Sequence, residues 1–260
     1  MVEERFLGIN IEYEQADKRA VAGFLVASKI LQLATGFKIE GEFPGTGAAI
    51  AVGNHTSTLN GFMAYLASIE TGHRIARMVA KETLFHPGRK EPDEVLQRTG
   101  KENAFDPMTL PLIADTVAFT LRGIGGIPVY RGKNRNISRD RQFLKTCGEI
   151  LDAEQFLGLF IQETRVKEGD LRDVFPGVGV LVREHKTTPV IPVAILSGKY
   201  GNKMVIGQSV TGQQLEEEAG HKLTSREMTA RVVDKIADIH HPYVRAKWHH
   251  EDKPLLLRAA

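Results

Sequence analysis

Several polar residues of this 260-residue chain could do chemistry, and each lies shortly after an apolar segment. They are His55, Asn60, Lys81, Arg131, Gln162, Glu163, Thr164 and Arg165. Histidine is the most common general base in enzymes, and lysine and arginine bind phosphate or carboxylate oxygens. These residue types therefore indicate a base that acts on a substrate bearing an anionic group.

The apolar segments before these residues predict how the fold positions them. Each segment is short and rich in aliphatic residues, as is typical of a buried strand. Strands are predicted at residues 48–52, 74–80, 126–131, 156–161, 190–196 and 203–210. Because ligands of open α/β sheets bind at the carboxyl ends of strands, we expect the polar residues to meet at one edge.

Helical patterns alternate with these strands. They are found at residues 59–70, 109–121, 138–152, 174–184 and 225–240. Ser138 is predicted to cap the third of these helices, and the fourth is predicted despite Pro176. The alternation predicts an α/β fold with a mixed, largely parallel sheet flanked by helices.

The composition argues against several classes of protein. A net charge of +2 and the lack of a dense basic run exclude a typical nucleic-acid-binding protein. The single cysteine, Cys147, cannot form an internal disulfide, which is typical of a reducing compartment. The histidine pairs 240–241 and 249–250 are each adjacent in sequence, so their side chains diverge, and we expect no metal site there.

The first part of the chain bears on membrane contact. The sequence shows no signal peptide and no apolar run long enough to span a membrane, so we expect a cytoplasmic protein with peripheral membrane contact. Residues 1–40 are predicted as a helical segment. The helical spacing at residues 15–35 fits either a helix packed on the domain or an interfacial helix whose basic residues meet anionic headgroups.

A single domain is predicted at residues 41–240, with a polar tail at residues 241–260. A polar stretch bearing proline and glycine at residues 86–107 interrupts the α/β pattern and is predicted as an inserted loop. Surface insertions cost little free energy, so this one either only decorates the fold or covers the site.

Five segments in order along residues 45–210 resemble the motifs of one family. The segments are Asn54–Asn60, Val79–Phe85, Gly126–Arg131, Phe160–Arg165 and Val190–Val193. They are similar to the ordered blocks of the 1-acylglycerol-3-phosphate acyltransferases, the glycerolipid acyltransferases marked by an NHxxxxD motif. The third segment matches the G-x-I-P-V-x-R block of that family, and the fourth stands where F-P-E-G-T-R is usual.

The resemblance implies transfer of a fatty acyl group from acyl-CoA or acyl-carrier protein to the hydroxyl of a phosphate-bearing glycerolipid such as lysophosphatidate. It implies no cofactor beyond the thioester donor, and a location at the inner face of the cell membrane. His55 corresponds to the general base. Arg131 and Arg165, with Lys81, correspond to phosphate-binding groups, and Thr164 to a group that steadies the headgroup or the oxyanion.

Two segments depart from the family pattern. Asn60 stands where an aspartate orients the histidine, and it can accept a hydrogen bond but carries no charge. Ile161, Gln162 and Glu163 stand where proline, glutamate and glycine are usual. We expect a weakened base, and Glu163 is the candidate to take over the acidic role of the altered block.

These departures leave two alternatives to a phospholipid-synthesising acyltransferase. One is a non-catalytic relative that binds lipid or acyl-carrier protein with the same fold. The other is an acyltransferase whose acceptor is a different alcohol or an amine.

Overall fold

The computed structural model describes residues 5–6, 9–10, 18–55, 60–85, 121–130, 136–162, 171, 174–196 and 202–240. Nine strands lie within these residues. They are β1 (Arg5–Phe6), β2 (Ile9–Asn10), β3 (Lys38–Glu40), β4 (Ala49–Gly53), β5 (Ala76–Lys81), β6 (Ile127–Val129), β7 (Phe156–Phe160), β8 (Val190–Leu196) and β9 (Lys203–Ile206).

Six α-helices of at least two turns lie in the same part of the chain. They are α1 (Lys18–Thr35), α2 (Asn60–Gly72), α3 (Ile137–Asp152), α4 (Gly177–Glu184), α5 (Gly212–Ala219) and α6 (Ser225–His240). A short 3-10 helix, Glu82–Phe85, follows β5 directly.

Seven of the strands form one sheet in the order β3-β9-β8-β4-β7-β5-β6. Every neighbouring pair is parallel except β8 and β9, which are antiparallel. The predicted mixed, largely parallel α/β sheet is therefore confirmed. Because β4, β7, β5 and β6 are parallel neighbours, their carboxyl ends all lie at the same edge, where the polar residues were predicted to meet.

The sheet is covered on both faces, which explains the apolar composition of its strands. Alternate residues of β4 point to opposite faces, as the two-residue period of a strand requires. Ile50 and Val52 pack in a core with α3, α4 and α6. Ala49 and Ala51 pack on the other face in a core that includes Met63 of α2.

Some boundaries differ from those predicted. The N-cap of α3 is Asn136, whose side chain accepts from the Arg139 N–H, so the predicted cap at Ser138 is wrong. Pro176 lies at the N-cap of α4, where its missing N–H removes no helical hydrogen bond. Strand β9 ends at Ile206, and α5 was not predicted. The predicted helix at residues 109–121 lies, except for its last residue, outside the described residues.

The predicted domain limits stay predictions, and the insertion at residues 86–107 and the tail at 241–260 lie outside the described part. Helix α1 falls within the predicted N-terminal segment and packs against α2. Lys29 forms an ion pair with Glu70 of α2, and Gln32 Nε2 lies 3.4 Å from the same carboxylate. None of the helices among the described residues is long and apolar enough to cross a membrane.

Candidate active site

The buried side chain of Asn54 replaces the backbone pairing at the end of β4, and the candidate histidine follows at the edge of the sheet. Asn54, the residue after β4, is 1% exposed. Its Oδ1 accepts from the Ile195 N–H of β8 at 2.6 Å, and its Nδ2 donates to the Ile195 carbonyl at 2.9 Å. The carboxamide thus replaces a backbone pair between β4 and β8, and the chain leaves the sheet at His55.

Strand β7, on the other side of β4, also contacts His55. The His55 N–H donates to Oε1 of Gln162 at 2.7 Å, and the Gln162 side chain is completely buried. The ring of Phe160 stacks on the imidazole with 4.5 Å between ring centroids and 18° between planes. Phe160 at the end of β7 and Gln162 two residues further on therefore contact this half-buried histidine, and Asn54 joins the residue before it to β8.

The imidazole lies beside the first residue of α2. Nδ1 of His55 is 3.3 Å from Oδ1 of Asn60, whose side chain is 3% exposed. With the Asn60 amide oxygen facing the ring, a neutral imidazole that donates to it carries its proton on Nδ1 and has a lone pair on Nε2. The arrangement can take up a proton at Nε2, which is what a general base does.

The structure brings His55 and Asn60 together, and it places Lys81 at the same edge. Lys81 is the last residue of β5, which is separated from β4 by β7 alone. The other predicted site residues lie outside the described residues, so their positions and roles stay predictions. They are Arg131, Glu163, Thr164 and Arg165.

Away from His55, where β5 and β6 end, the edge has both an acidic and a basic side chain. Glu82, directly after Lys81, is 3% exposed. The Arg139 guanidinium lies 4.2 Å from the ring centroid of Tyr130, the residue after β6. The pKa of the Tyr130 hydroxyl is raised, mainly by burial. The positive charge of Arg139 lowers this pKa, and the negative charge of Glu82 raises it further. Tyr130 is therefore a neutral hydrogen-bonding group near neutral pH.

A narrow apolar cleft begins beside the candidate base on the α2 face of the sheet. The space that a water-sized sphere can occupy in it is about 20 Å³, so the cleft is a narrow gap between packed side chains. Small residues of β4, α2 and β5 leave this room, and Phe160 lines it where it stacks on His55. The lining includes Ala51, Gly53, Ala64, Ala76, Phe43 and Phe156.

No three histidine, cysteine, aspartate or glutamate side chains in the described ranges lie close enough to share a metal ion. His240 is fully buried at the end of α6, and burial lowers its pKa to about 4. His241, His249 and His250 lie outside those ranges.

From the sequence, no role was predicted for three of the residues that hold His55. Asn54 and Phe160 were named only as members of their motifs, and Gln162 only as part of the polar cluster at residues 162–165 and as a departure from the family pattern. The signal for Gln162 was present, because a glutamine side chain offers the same kind of acceptor oxygen as the glutamate usual there.

Comparison with known proteins adds to this geometry. No protein-family model matches the sequence, and no curated protein matches it. Among solved structures, the chain matches the crystal structure of PlsC, the 1-acyl-sn-glycerophosphate (LPA) acyltransferase from Thermotoga maritima, with a TM-score of 0.55. The match covers 92% of this chain and 85% of that chain. The chain shares the fold of PlsC. Since the sequences are 16% identical, the likeness shows the fold, and the activity is a separate question.

Proposed function

We propose that the protein transfers a fatty acyl group from a thioester donor to the hydroxyl of a phosphate-bearing glycerolipid, with His55 as the general base. The contact between His55 and Asn60 at the carboxyl edge of the sheet carries this proposal. The fold shared with an LPA acyltransferase and the order of the five sequence segments support it.

The proton transfer follows from the tautomer of His55. Nε2 accepts the proton of the acceptor hydroxyl as the hydroxyl oxygen bonds to the thioester carbonyl carbon. The carbonyl oxygen becomes an oxyanion, and the carbon–sulfur bond breaks when the oxyanion collapses. The imidazolium then gives its proton to the leaving thiolate, so the products are an ester and a free thiol, and His55 is restored.

Asn60 orients the ring in this scheme and contributes no charge. Its Oδ1 accepts from Nδ1–H and so keeps Nε2 available. An aspartate in this place would also stabilise the imidazolium with its negative charge. In the serine proteases the equivalent exchange of aspartate for asparagine lowers kcat by about 10⁴-fold. We therefore expect a slow enzyme.

The apolar lining of the cleft supports binding of a fatty acyl chain, which requires the cleft to open beyond its present volume of about 20 Å³. Phe160 contacts both the His55 ring and the interior of the cleft, so a chain lying there would hold its thioester beside the base. Phe43 and Phe156 pack edge to face with 5.1 Å between centroids and close off part of the cleft. The donor in this proposal is acyl-CoA or acyl-carrier protein.

The phosphate of the acceptor is assigned to three cationic residues, of which Lys81 lies at this edge of the sheet. Lys81 ends β5, and Arg131 follows β6 in sequence. With Arg165 they form the proposed phosphate site, with Thr164 steadying the headgroup or the oxyanion and Glu163 in the acidic role. An arginine suits this task because its guanidinium binds two phosphate oxygens at once.

Contact with a membrane surface is proposed for α1. Val26, Ile30 and Leu33 are 61%, 62% and 77% exposed, and their spacing places them on one face of the helix. A helix with an exposed apolar face can lie in the headgroup region without crossing the membrane. The proposed location is the inner face of the cell membrane, where lipid acceptors are available.

Acyl transfer by the purified protein tests the proposal. The assay follows phosphatidate formation and thiol release from acyl-CoA and lysophosphatidate. Replacing His55 by alanine is expected to lower kcat by about 10²- to 10⁴-fold, the usual contribution of a general base. His221→Ala is the control, because His221 is 59% exposed and lies before α6. Equal activity of wild type and His55→Ala would exclude the mechanism.

The neutral Asn60 favours a second candidate, a protein that binds lipid or acyl-carrier protein without turnover. The same assay separates the two. Binding of lysophosphatidate or acyl-CoA without product in any variant supports the binding protein. Turnover only with another alcohol or an amine supports an acyltransferase with a different acceptor.

A further inference from the structure

The backbone ladder between β4 and β7 stops one step before His55. Its last bond joins the Ile161 N–H to the Gly53 carbonyl at 2.8 Å. In a regular parallel ladder, the next bond would join the His55 N–H to the Ile161 carbonyl. That carbonyl instead accepts from the Phe175 N–H at 2.6 Å, so the expected backbone partner of His55 is engaged elsewhere.

A side chain supplies the acceptor that the ladder lacks. Oε1 of Gln162 lies 2.7 Å from the His55 nitrogen, and Gln162 is completely buried. Its backbone is fixed by an antiparallel bridge to Val174. We propose that Gln162 is a positioning residue that sets the place of the His55 backbone, and through it of the imidazole. This inference rests on the proposed function, in which His55 is the base.

The chemistry of the side chain limits what can take this place. The residue must reach past its own backbone to the His55 N–H, and it must offer an acceptor from a completely buried side chain. Glutamine and glutamate meet both conditions, and methionine has a similar length but no comparable acceptor. A displacement of about 1 Å at a catalytic group can cost about 100-fold in rate, so the loss of this bond should be visible in kcat.

The test compares two substitutions at this position with one elsewhere. Gln162→Met removes the acceptor, and Gln162→Glu keeps an acceptor oxygen. Thr229→Val is the matched control, because Thr229 is 2% exposed and its Oγ1 accepts from the buried Gly179 N–H at 3.1 Å, in the α4–α6 contact. All three variants and the wild type are assayed for acyl transfer and for hydrogen exchange of the His55 amide.

Gln162→Met is expected to lower kcat by about 10- to 100-fold, the cost of displacing a catalytic group by up to about 1 Å, with KM changed by less than about threefold. Its His55 amide should exchange at least about tenfold faster than in wild type. Gln162→Glu should restore kcat to within about tenfold of wild type. Thr229→Val should lose stability while kcat and His55 exchange stay at wild-type values.

Two results would overturn the inference. One is unchanged His55 exchange in Gln162→Met, and the other is a loss of kcat in Gln162→Met no larger than in Thr229→Val. If the wild type transfers no acyl group, the proposed function fails, and the exchange measurement alone then decides the role of Gln162.

Discussion

Three carboxamide side chains hold the histidine of the candidate site. Asn54 joins the end of β4 to β8 by hydrogen bonds, Gln162 accepts from the His55 backbone N–H, and Asn60 contacts the His55 ring. Carboxamides do not ionise, so their hydrogen bonds keep the same direction as the pH changes. The geometry around His55 should therefore be preserved at pH values where the imidazole itself gains or loses a proton.

His240 gives the stability of the protein a specific pH dependence. Its pKa is lowered by burial from 6.5 to about 4, so the unfolded chain binds this proton more readily than the folded protein. The stabilisation is complete above pH 6.5 and is lost as the pH falls toward 4. Between about pH 7.5 and about pH 4.5, this one group should lower the free energy of unfolding by about 2–3 kcal/mol.

Urea unfolding of wild type and His240→Leu at the two pH values measures this contribution. The variant lacks the titrating group but fills the same apolar site, so it should lose about 2–3 kcal/mol less than wild type on acidification. Equal losses would mean that His240 is protonated with similar affinity in the folded and unfolded states.

At the scale of elements, the cleft between α2 and the sheet sets the expected donor preference. Ala64 of α2 lines this cleft, and a larger side chain there would occupy space assigned to the acyl chain. Ala64→Phe is expected to shift the preference at least about tenfold toward shorter acyl groups, since each methylene contributes about 0.8 kcal/mol of apolar binding.

The measurement is kcat/KM with acyl-CoA donors from octanoyl to stearoyl. Ile69→Phe is the control, because Ile69 is on the same helix and does not line the cleft. A preference that is the same in wild type and Ala64→Phe would place the acyl chain elsewhere.

The sequence predicted the strands that build the site because each is buried and nearly uninterrupted by polar residues. It placed β4, β7 and β8 within one or two residues, and with them the end of the strand that carries His55. It placed the cap of α3 at Ser138, because serine and asparagine are both good N-caps and only the backbone conformation distinguishes Asn136. Helix α5 is short and polar, so no apolar period marked it.

The contacts that hold His55 were less predictable for a physical reason. Asn54 and Gln162 act on residues 141 and 107 positions away, and such partners are set by the order of strands in the sheet. The order β8-β4-β7 cannot be derived from the hydrophobic pattern of any one strand. The contact of His55 with Asn60 was expected from the resemblance to the NHxxxxD motif, in which the residue five positions after the histidine orients the ring.

At the scale of the whole molecule, α1 lies between a proposed membrane-contacting face and the helix α2, which begins at the candidate site. One side of α1 pairs with α2 through Lys29 and Glu70, and α2 begins at Asn60. Its exposed face carries Val26 and Ile30. A membrane surface that binds this face would therefore contact the helix that packs on α2, whose first residue is Asn60.

Binding to phospholipid vesicles checks this placement. Replacing Val26, Ile30 and Leu33 together by glutamine should weaken vesicle binding by at least about tenfold for each side chain that enters the headgroup region, because each contributes about 1.5 kcal/mol or more. Ile137→Gln is the control, since Ile137 is 73% exposed at the start of α3. Unchanged cosedimentation of the triple variant would exclude α1 as the contact.

We propose that His55 and Asn60 form a working but weakened catalytic pair. Asn60→Asp tests it most directly, because misfolding cannot produce a gain in rate. The variant is expected to raise kcat for acyl transfer to lysophosphatidate by at least about tenfold and at most about 10⁴-fold, since a carboxylate both orients the ring and stabilises the imidazolium. A folded Asn60→Asp protein with the same kcat as wild type, or with none, would contradict it.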